Sequence, residues 1–467
     1  MVKTRQLCLI FIDGLMHRNT LVFLNHKKKS ISGYLLTIIL LLSGTVTINA
    51  QQITRLKLHD AWQMAEKNNR FIQKVHIDEQ ISGETVKTKK ELRLPEVELH
   101  SLYSRITNLT EFQSGFLQGK QVTKTIPEIY DVSAAFRMPL YAGNKINHTV
   151  KIAEKESELM TLKSEKTTND VKLQVVASFL GIYKMMALQE IIDESIQEEQ
   201  ERLKEVQSFK KHGTVTKNEV LRAELQLSDR ELDALTNRKN IAIALHDLKT
   251  IMQLPEGQLI EPDTTQLLSG LQHVESYDYF LKAALDNEEI KMAQKEIEIG
   301  HLEKKLVKSN YYPTISLFGN YSFKYPNYMF FPPDPYLYSL GQVGIEATFN
   351  LSALHKNKAK SRIADQQLER QKMEAGIVKD AVEDKIFADY RHYQESLARI
   401  PVTEKALALA LENYRIVKLK YLNQLVLITE MIDADNALLE ARYKNTATKI
   451  EAVMKYYELL HTADRLH

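Results

Sequence analysis

Glu430 and Asp433 stand three positions apart, so in a helix they share one face a single turn apart. Paired carboxylates can act as general acid and base. They can equally attract cations, or sit as solvated acids at a helix start, where the backbone dipole favours negative charge. With 60 acids in 467 residues, most such pairs are surface charge, and no nucleophile or base accompanies this one. His392 beside Tyr393, and Met185 beside Met186, carry metal-binding atom types without a second ligand at a useful spacing. The single cysteine, Cys8, leaves no disulfide framework and no cysteine metal site. A glycine-rich phosphate loop, a nucleophile elbow and a His/Glu metal helix are all missing. These residues describe a chain that is not an enzyme and needs no cofactor or resident metal.

The elements that carry these residues are long. Gly is only 16 and Pro 11, and few breakers imply uninterrupted elements. Lys145 to Lys210 reads as helix with only Gly181 as exception, and Lys358 to Leu422 with only Gly376 and Pro401. At 1.5 Å per residue, about 65 residues span on the order of 100 Å. Such rods are coiled-coil-like or bridge a wide space. Leu221, Leu225, Leu232 and Leu235 repeat at three-and-four spacing as a packed seam, while Glu198, Glu199, Glu201, Arg202, Lys204 and Glu205 read as a solvated face. Turns fall at His212-Gly213-Thr214 and Leu422-Asn423-Gln424. Gly213 and Asn423 suit the left-handed position that ends a helix, and Thr216 and Thr429 suit the start of the next.

Four segments alternate apolar and polar residues, at about 95–105, 128–140, 313–325 and 340–351. Side chains of a strand point alternately to its two faces, so each segment is a strand with one apolar and one polar side. A half-buried sheet of a soluble protein has the same pattern. Their length of about 10 to 13 residues, however, is that of a tilted membrane-spanning strand. Tyr311, Tyr312, Tyr325, Tyr328, Phe330, Phe331, Tyr336 and Tyr338 crowd the strand ends like an interfacial girdle. Four strands cannot close a barrel, and open edges are not tolerated in lipid. Several copies must then contribute, and three give about twelve strands.

The plan occurs twice. Trp62, Ala65, Asn69 and Pro95 match Phe280, Ala283, Asn287 and Pro313, each 218 positions later. Phe136, Asn144 and Lys145 match Phe349, Asn357 and Lys358 at 213. Glu219, Leu221 and Ala223 match Glu430, Ile432 and Ala434 at 211. Three matches in one order argue for a duplicated unit. The expected division is a first repeat over 51–255, a linker over 256–276 and a second repeat over 277–467. Residues 1–50 read as an export signal: Lys27, Lys28 and Lys29, an apolar run from Tyr34 to Leu42, and a cut after Ala50. The lysines before Tyr34 lie far from Met1, so the true start codon can be downstream. Removing the six Lys/Arg and one Asp of that segment from 62 and 60 leaves a balance near −3. That gives no reason to expect nucleic acid.

The stretch Ala408–Tyr414, then Tyr421-Leu422-Asn423-Gln424-Leu425-Val426-Leu427-Ile428-Thr429-Glu430-Met431-Ile432-Asp433-Ala434, then Asn436–Tyr443, resembles the closing helix hairpin of the TolC-type outer-membrane efflux family. The duplicated helix–strand–strand–long helix–helix plan is also that family's. The resemblance implies a mostly α fold with a β-barrel section: a homotrimer whose twelve-stranded barrel sits in outer-membrane lipid and continues as a helical barrel through the periplasm. It implies a passive exit duct for small molecules or metal ions in a tripartite efflux system. Its partners would be a periplasmic adaptor of the membrane fusion type and an inner-membrane pump of RND or ABC type. A type I protein secretion duct and a pore-free periplasmic coiled-coil scaffold are the other readings. The family closes its periplasmic end with a tyrosine and a ring of acids, and the matching positions are Tyr421, Glu430 and Asp433. Val426 stands where some members have arginine, and Arg222 stands at the repeat position of Asp433, so the two hairpins differ.

Overall fold

The computed structural model describes residues 54–115, 118–255, 257–263, 275–330 and 333–466. The expected signal, residues 1–50, most of the expected linker, and Phe331 lie outside them.

The chain begins with strand β1 (Thr54–Leu56), then helices α1 (Leu58–Asn68) and α2 (Arg70–Glu91). Strand β2 (Glu96–Arg105), a small hairpin β3 (Leu109–Phe112) and β4 (Lys120–Thr123), and β5 (Glu128–Ala142) follow. Then come α3 (Lys145–Lys211), α4 (Lys217–Met252) and β6 (Ile260–Pro262). The second unit has α5 (Tyr277–Ala284), α6 (Glu288–Ser309), β7 (Thr314–Tyr325), β8 (Tyr338–Thr348), α7 (Ala353–Leu422) and α8 (Ile428–Thr462). The duplicated unit is thus α1-α2-β2-β5-α3-α4 against α5-α6-β7-β8-α7-α8.

The repeat has a physical basis at its joints. Asn69 and Asn287 each follow a short helix and cap the next: Asn69 Oδ1 accepts from the backbone N–H of Phe71, Asn287 Oδ1 from that of Ile290. Both are buried polar side chains held by these bonds. Trp62 and Phe280 bury their rings on the preceding helices, and the Trp62 indole N–H donates to the Lys172 carbonyl at 3.0 Å.

β2, β5, β7 and β8 form one antiparallel sheet in that order. Glu96 lies opposite Arg137, Thr314 opposite Ala142 and Thr348. The start of β2, the end of β5, the start of β7 and the end of β8 therefore share one end of the sheet. All four helix–strand junctions lie there, and α2, α3, α6 and α7 run away from it. α3 packs on α2 and α6, and α6 on α7. The 67 residues of α3 and 70 of α7 carry the chain about 100 Å from the sheet. Pro401 lies inside the continuous helix α7 rather than interrupting it.

Each cross-strand row lines one face. Val97, Phe136, Gly319 and Val343 form one apolar row, and Leu99, Ala134, Tyr321 and Gly341 the next. Tyr103, Tyr130 and Tyr325 make a row at the end away from the helices, with ring centroids 5.3 and 5.5 Å apart. The other face carries the ion pairs Arg137–Glu346 and Asp131–Lys324. Nothing among the described residues covers the apolar face: Leu99 is 80% and Val343 74% exposed. Glycine serves close packing here, because a Cβ at Gly319 would meet the Phe136 ring at 2.4 Å.

Candidate functional site

The far ends of the rods are two helical hairpins, α3–α4 and α7–α8. Gly213 closes the first turn at φ +76, and Gln424, not Asn423, takes the left-handed position of the second at φ +60. Asn423 stays at φ −88 and its amide donates to the Leu419 carbonyl at 2.8 Å. The same carbonyl also accepts the Asn423 backbone N–H, and the backbone N–H groups of Gln424 and Leu425 close the turn on the Tyr421 and Lys420 carbonyls, which places the left-handed residue one position on. Thr216 is the residue before α4, without a side-chain cap, and Thr429 falls inside the first turn of α8.

The hairpins hold together by an apolar cluster. Val206, Val220, Ala223, Tyr421, Ile428, Met431 and Leu438 are buried in it. Tyr421 is 4% exposed and meets Phe209 edge-on at 6.4 Å between ring centroids. Its hydroxyl finds no hydrogen-bond partner. Burial, and then the nearby Glu219 and Glu205 carboxylates, push its pKa up to about 12, so the hydroxyl stays protonated. Glu430 and Asp433 lie on the exposed face of α8. The structure therefore separates the three expected gate residues: Tyr421 is packed between the hairpins, and the two acids point away from that packing.

Three buried charges lie one layer further from the tips. Glu199 is 0%, Arg202 4% and Asp435 4% exposed. Arg202 Nη1 donates to Glu199 Oε1 at 2.6 Å, and Nη2 to Asp435 Oδ1 at 3.3 Å. The arginine thus bridges α3 to α8. Glu199 Oε2 and Asp435 Oδ2 have no hydrogen-bond partner. Burial pushes the Glu199 pKa up to about 7; Arg202 opposes the shift and the Asp435 carboxylate adds to it. Alongside, Arg230 and Gln226 of α4 donate to Asn436 Oδ1 on α8, and Arg230 also pairs with Asp233.

This corrects two expectations. Glu199 and Arg202 are not on a solvated face. They occupy the seam Ile192, Ser195, Glu199, Arg202, Val206, whose three-and-four spacing is a packing stripe, and Asp435 lies in the stripe Ile428, Met431, Asp435, Leu438. Charge at core spacing was the available signal. Conversely, the expected leucine seam faces outward, with Leu225 63% and Leu232 61% exposed. Val220, Ala223, Arg230, Ala234 and Asn237 form the buried side of α4 instead. The leucines sit one position further round the helix, on its exposed side.

Among the described residues no group of three or more His, Cys, Asp or Glu could hold a metal ion.

Residues 61–252 match the family described as outer membrane efflux protein. Solved channels share the fold. The outer membrane protein VceC from Vibrio cholerae aligns with a TM-score of 0.71 at 14% identity, over 87% of this chain and 95% of its own. The Campylobacter jejuni CmeC outer membrane channel aligns at 0.71 and 12% identity, over 95% and 94%. The open state of the Neisseria gonorrhoeae MtrE outer membrane channel aligns at 0.68 and 13% identity, over 87% and 88%. None of the curated proteins matches the sequence.

Proposed function

We propose that this chain, whose residues 61–252 match the family described as outer membrane efflux protein and which has the fold of outer-membrane channels, is the outer-membrane exit duct of a tripartite efflux system. One observation carries the reading. The four-stranded sheet leaves a whole apolar face uncovered and both edge strands, β2 and β8, unpaired. In water such a sheet would aggregate. In lipid its face is solvated but its edges are not tolerated, so copies of the chain must join edge to edge. Three copies close a barrel of about twelve strands, within the range of outer-membrane barrels. The tyrosine row and the exposed Tyr328, Phe330 and Tyr336 form the girdle at the outer interface.

The rods then continue the wall through the periplasm. α4 and α7 flank the hairpin pair and carry unpartnered apolar side chains, among them Leu225 and Leu232 on α4 and Val402 and Leu409 on α7. A neighbouring copy would bury them, which explains leucines at seam spacing on an open face. The tips reach toward a periplasmic adaptor and, through it, an inner-membrane pump. Glu430 and Asp433, three times over, form a ring of six carboxylates around the axis, and a negative ring in a narrow pore favours cations. Tyr421 acts as the packed pivot on which the α7–α8 hairpin turns. A pore-free scaffold is disfavoured because it leaves the apolar sheet face in water. Cross-linking tests the reading: cysteine pairs drawn from Val97 or Leu99 on β2 and Val343 or Ile345 on β8, oxidised in isolated outer membranes. A covalent trimer is expected; monomers alone at every pair, or a chain recovered in the soluble periplasm, would contradict the barrel.

A further inference from the structure

The sheet–helix junction holds a cavity of about 360 Å³ that the conduit reading does not use. Lys145 of α3 and Lys356 and Lys360 of α7 line it, with Thr348, Asn350 and Ser352. Ala142, Thr314 and Thr348 at its wall belong to the polar face of the sheet, by the alternation that puts Ser316 and Glu346 there. None of the three lysines forms an ion pair or side-chain hydrogen bond among the described residues. The acids nearest in sequence are already engaged, Glu154 with Lys90, Glu346 with Arg137 and Asp365 with Lys304. More positive charge stands behind: Lys151 and Lys305 lie close enough to His148 to help burial lower its pKa.

Both helices that start here also lack an acid in the first turn. A helix start is electropositive and ordinarily attracts carboxylates; these add ammonium groups instead. Three cations gathered in a cavity with hydroxyl and amide groups and no counter-charge are the complement of an oxyanion.

We propose that this cavity is a binding site for oxyanion groups, the phosphate or carboxylate of a solute, on the polar side of the sheet. In the conduit reading, on which this consequence rests, that side is the lumen, and three copies make a cationic collar of nine lysines at its neck. Anionic solutes collect there, opposite in sign to the acidic pair at the tips.

The binding claim is tested without the conduit. Inorganic phosphate is titrated into the full-length detergent-solubilised protein at physiological salt, followed by 31P line broadening. Saturable binding is expected. It weakens about tenfold or more in Lys145→Gln/Lys356→Gln/Lys360→Gln, the loss of even one charge-assisted bond being worth that much. The three Lys→Arg replacements retain it, and so does Lys210→Gln/Lys211→Gln at the tips. Equal binding by wild type and the Gln triple variant, or none by wild type, overturns the site. Micellar phosphatidylglycerol should not compete, because in the conduit reading lipid lies against the opposite, apolar side of the sheet; competition overturns the assignment to a solute. The Gln triple variant changes exposed side chains only, and an unaltered circular dichroism spectrum confirms that its fold is intact.

Discussion

The long helices start at two places, and the two places treat charge in opposite ways. At the tips, α4 and α8 open with Glu219 and Glu430 in the first turn, as the helix dipole favours. At the neck, α3 and α7 open with no acid and bring Lys145 and Lys356 to the same cavity. Burial differs as well. The tips put Glu199, Arg202 and Asp435 inside the packing, whereas the neck leaves its lysines exposed and unpaired. Local rules broken without a structural gain mark positions held for another role. The tip charges tie two hairpins together; the neck charges serve something that is not part of the chain.

The comparison is broken most severely at Arg202. Replacing it with Met leaves two buried carboxylates without their cation, and breaking such a pair costs about 3–5 kcal/mol. Denaturant unfolding of the solubilised protein should show that loss. The Gln triple variant of the neck lysines should move stability by only about 0.5 kcal/mol. The combination Glu199→Gln, Arg202→Met and Asp435→Asn should recover most of the loss, because no charge is then stranded. Equal losses at tip and neck would erase the distinction.

Tyr421 sharpens it next. Tyr421→Ala empties a core position and should cost roughly 3–5 kcal/mol, read by the same unfolding curves. Tyr421→Phe should be nearly neutral, since the hydroxyl is buried without a partner. A large loss in the Phe variant would reveal a hydroxyl bond formed in the assembly.

Acidity is the third handle. The Glu199 pKa is raised in the folded chain to about 7 from 4.5, so the folded state binds more protons than the unfolded one between those values. Its contribution to stability is complete below about 4.5 and is lost as pH rises through 7. Amide protection at the hairpin contact, after correction for the intrinsic pH dependence of exchange, should fall between pH 5 and 8 by an amount on the order of a few kcal/mol at most. Glu199→Gln should flatten that dependence.

The turns give the smallest effects. Gln424→Gly relieves a side chain held at φ +60 and should stabilise by about 0.5–1 kcal/mol; Gly213→Ala should cost a similar amount.

Much of this fold was legible because its signals are long. Alternation over ten or more residues marked all four main strands, and matched Asn69 and Asn287 marked a joint used twice. Short elements carried too little pattern: the hairpin of Leu109–Phe112 with Lys120–Thr123 is four residues against four. The candidate site was harder for a different reason. Periodicity finds stripes of apolar residues, and Glu199, Arg202 and Asp435 fill stripe positions with charge, so they passed for surface. The exposed leucines of α4 misled in the other direction, since apolar residues at seam spacing read the same in the sequence whether the chain buries them or leaves them exposed. The neck cavity draws Lys145 from one repeat and Lys356 from the other, and only the register of β5, β7 and β8 brings them together.

The most direct test of the central claim is the current carried by the purified, membrane-extracted protein in a planar bilayer under a salt gradient. The account predicts discrete conductance steps, a reversal potential that moves toward cations in the neck Gln triple variant, and a shift toward anions when Glu430 and Asp433 are both replaced by Ala. A folded, membrane-extracted oligomer that conducts nothing would contradict the duct itself.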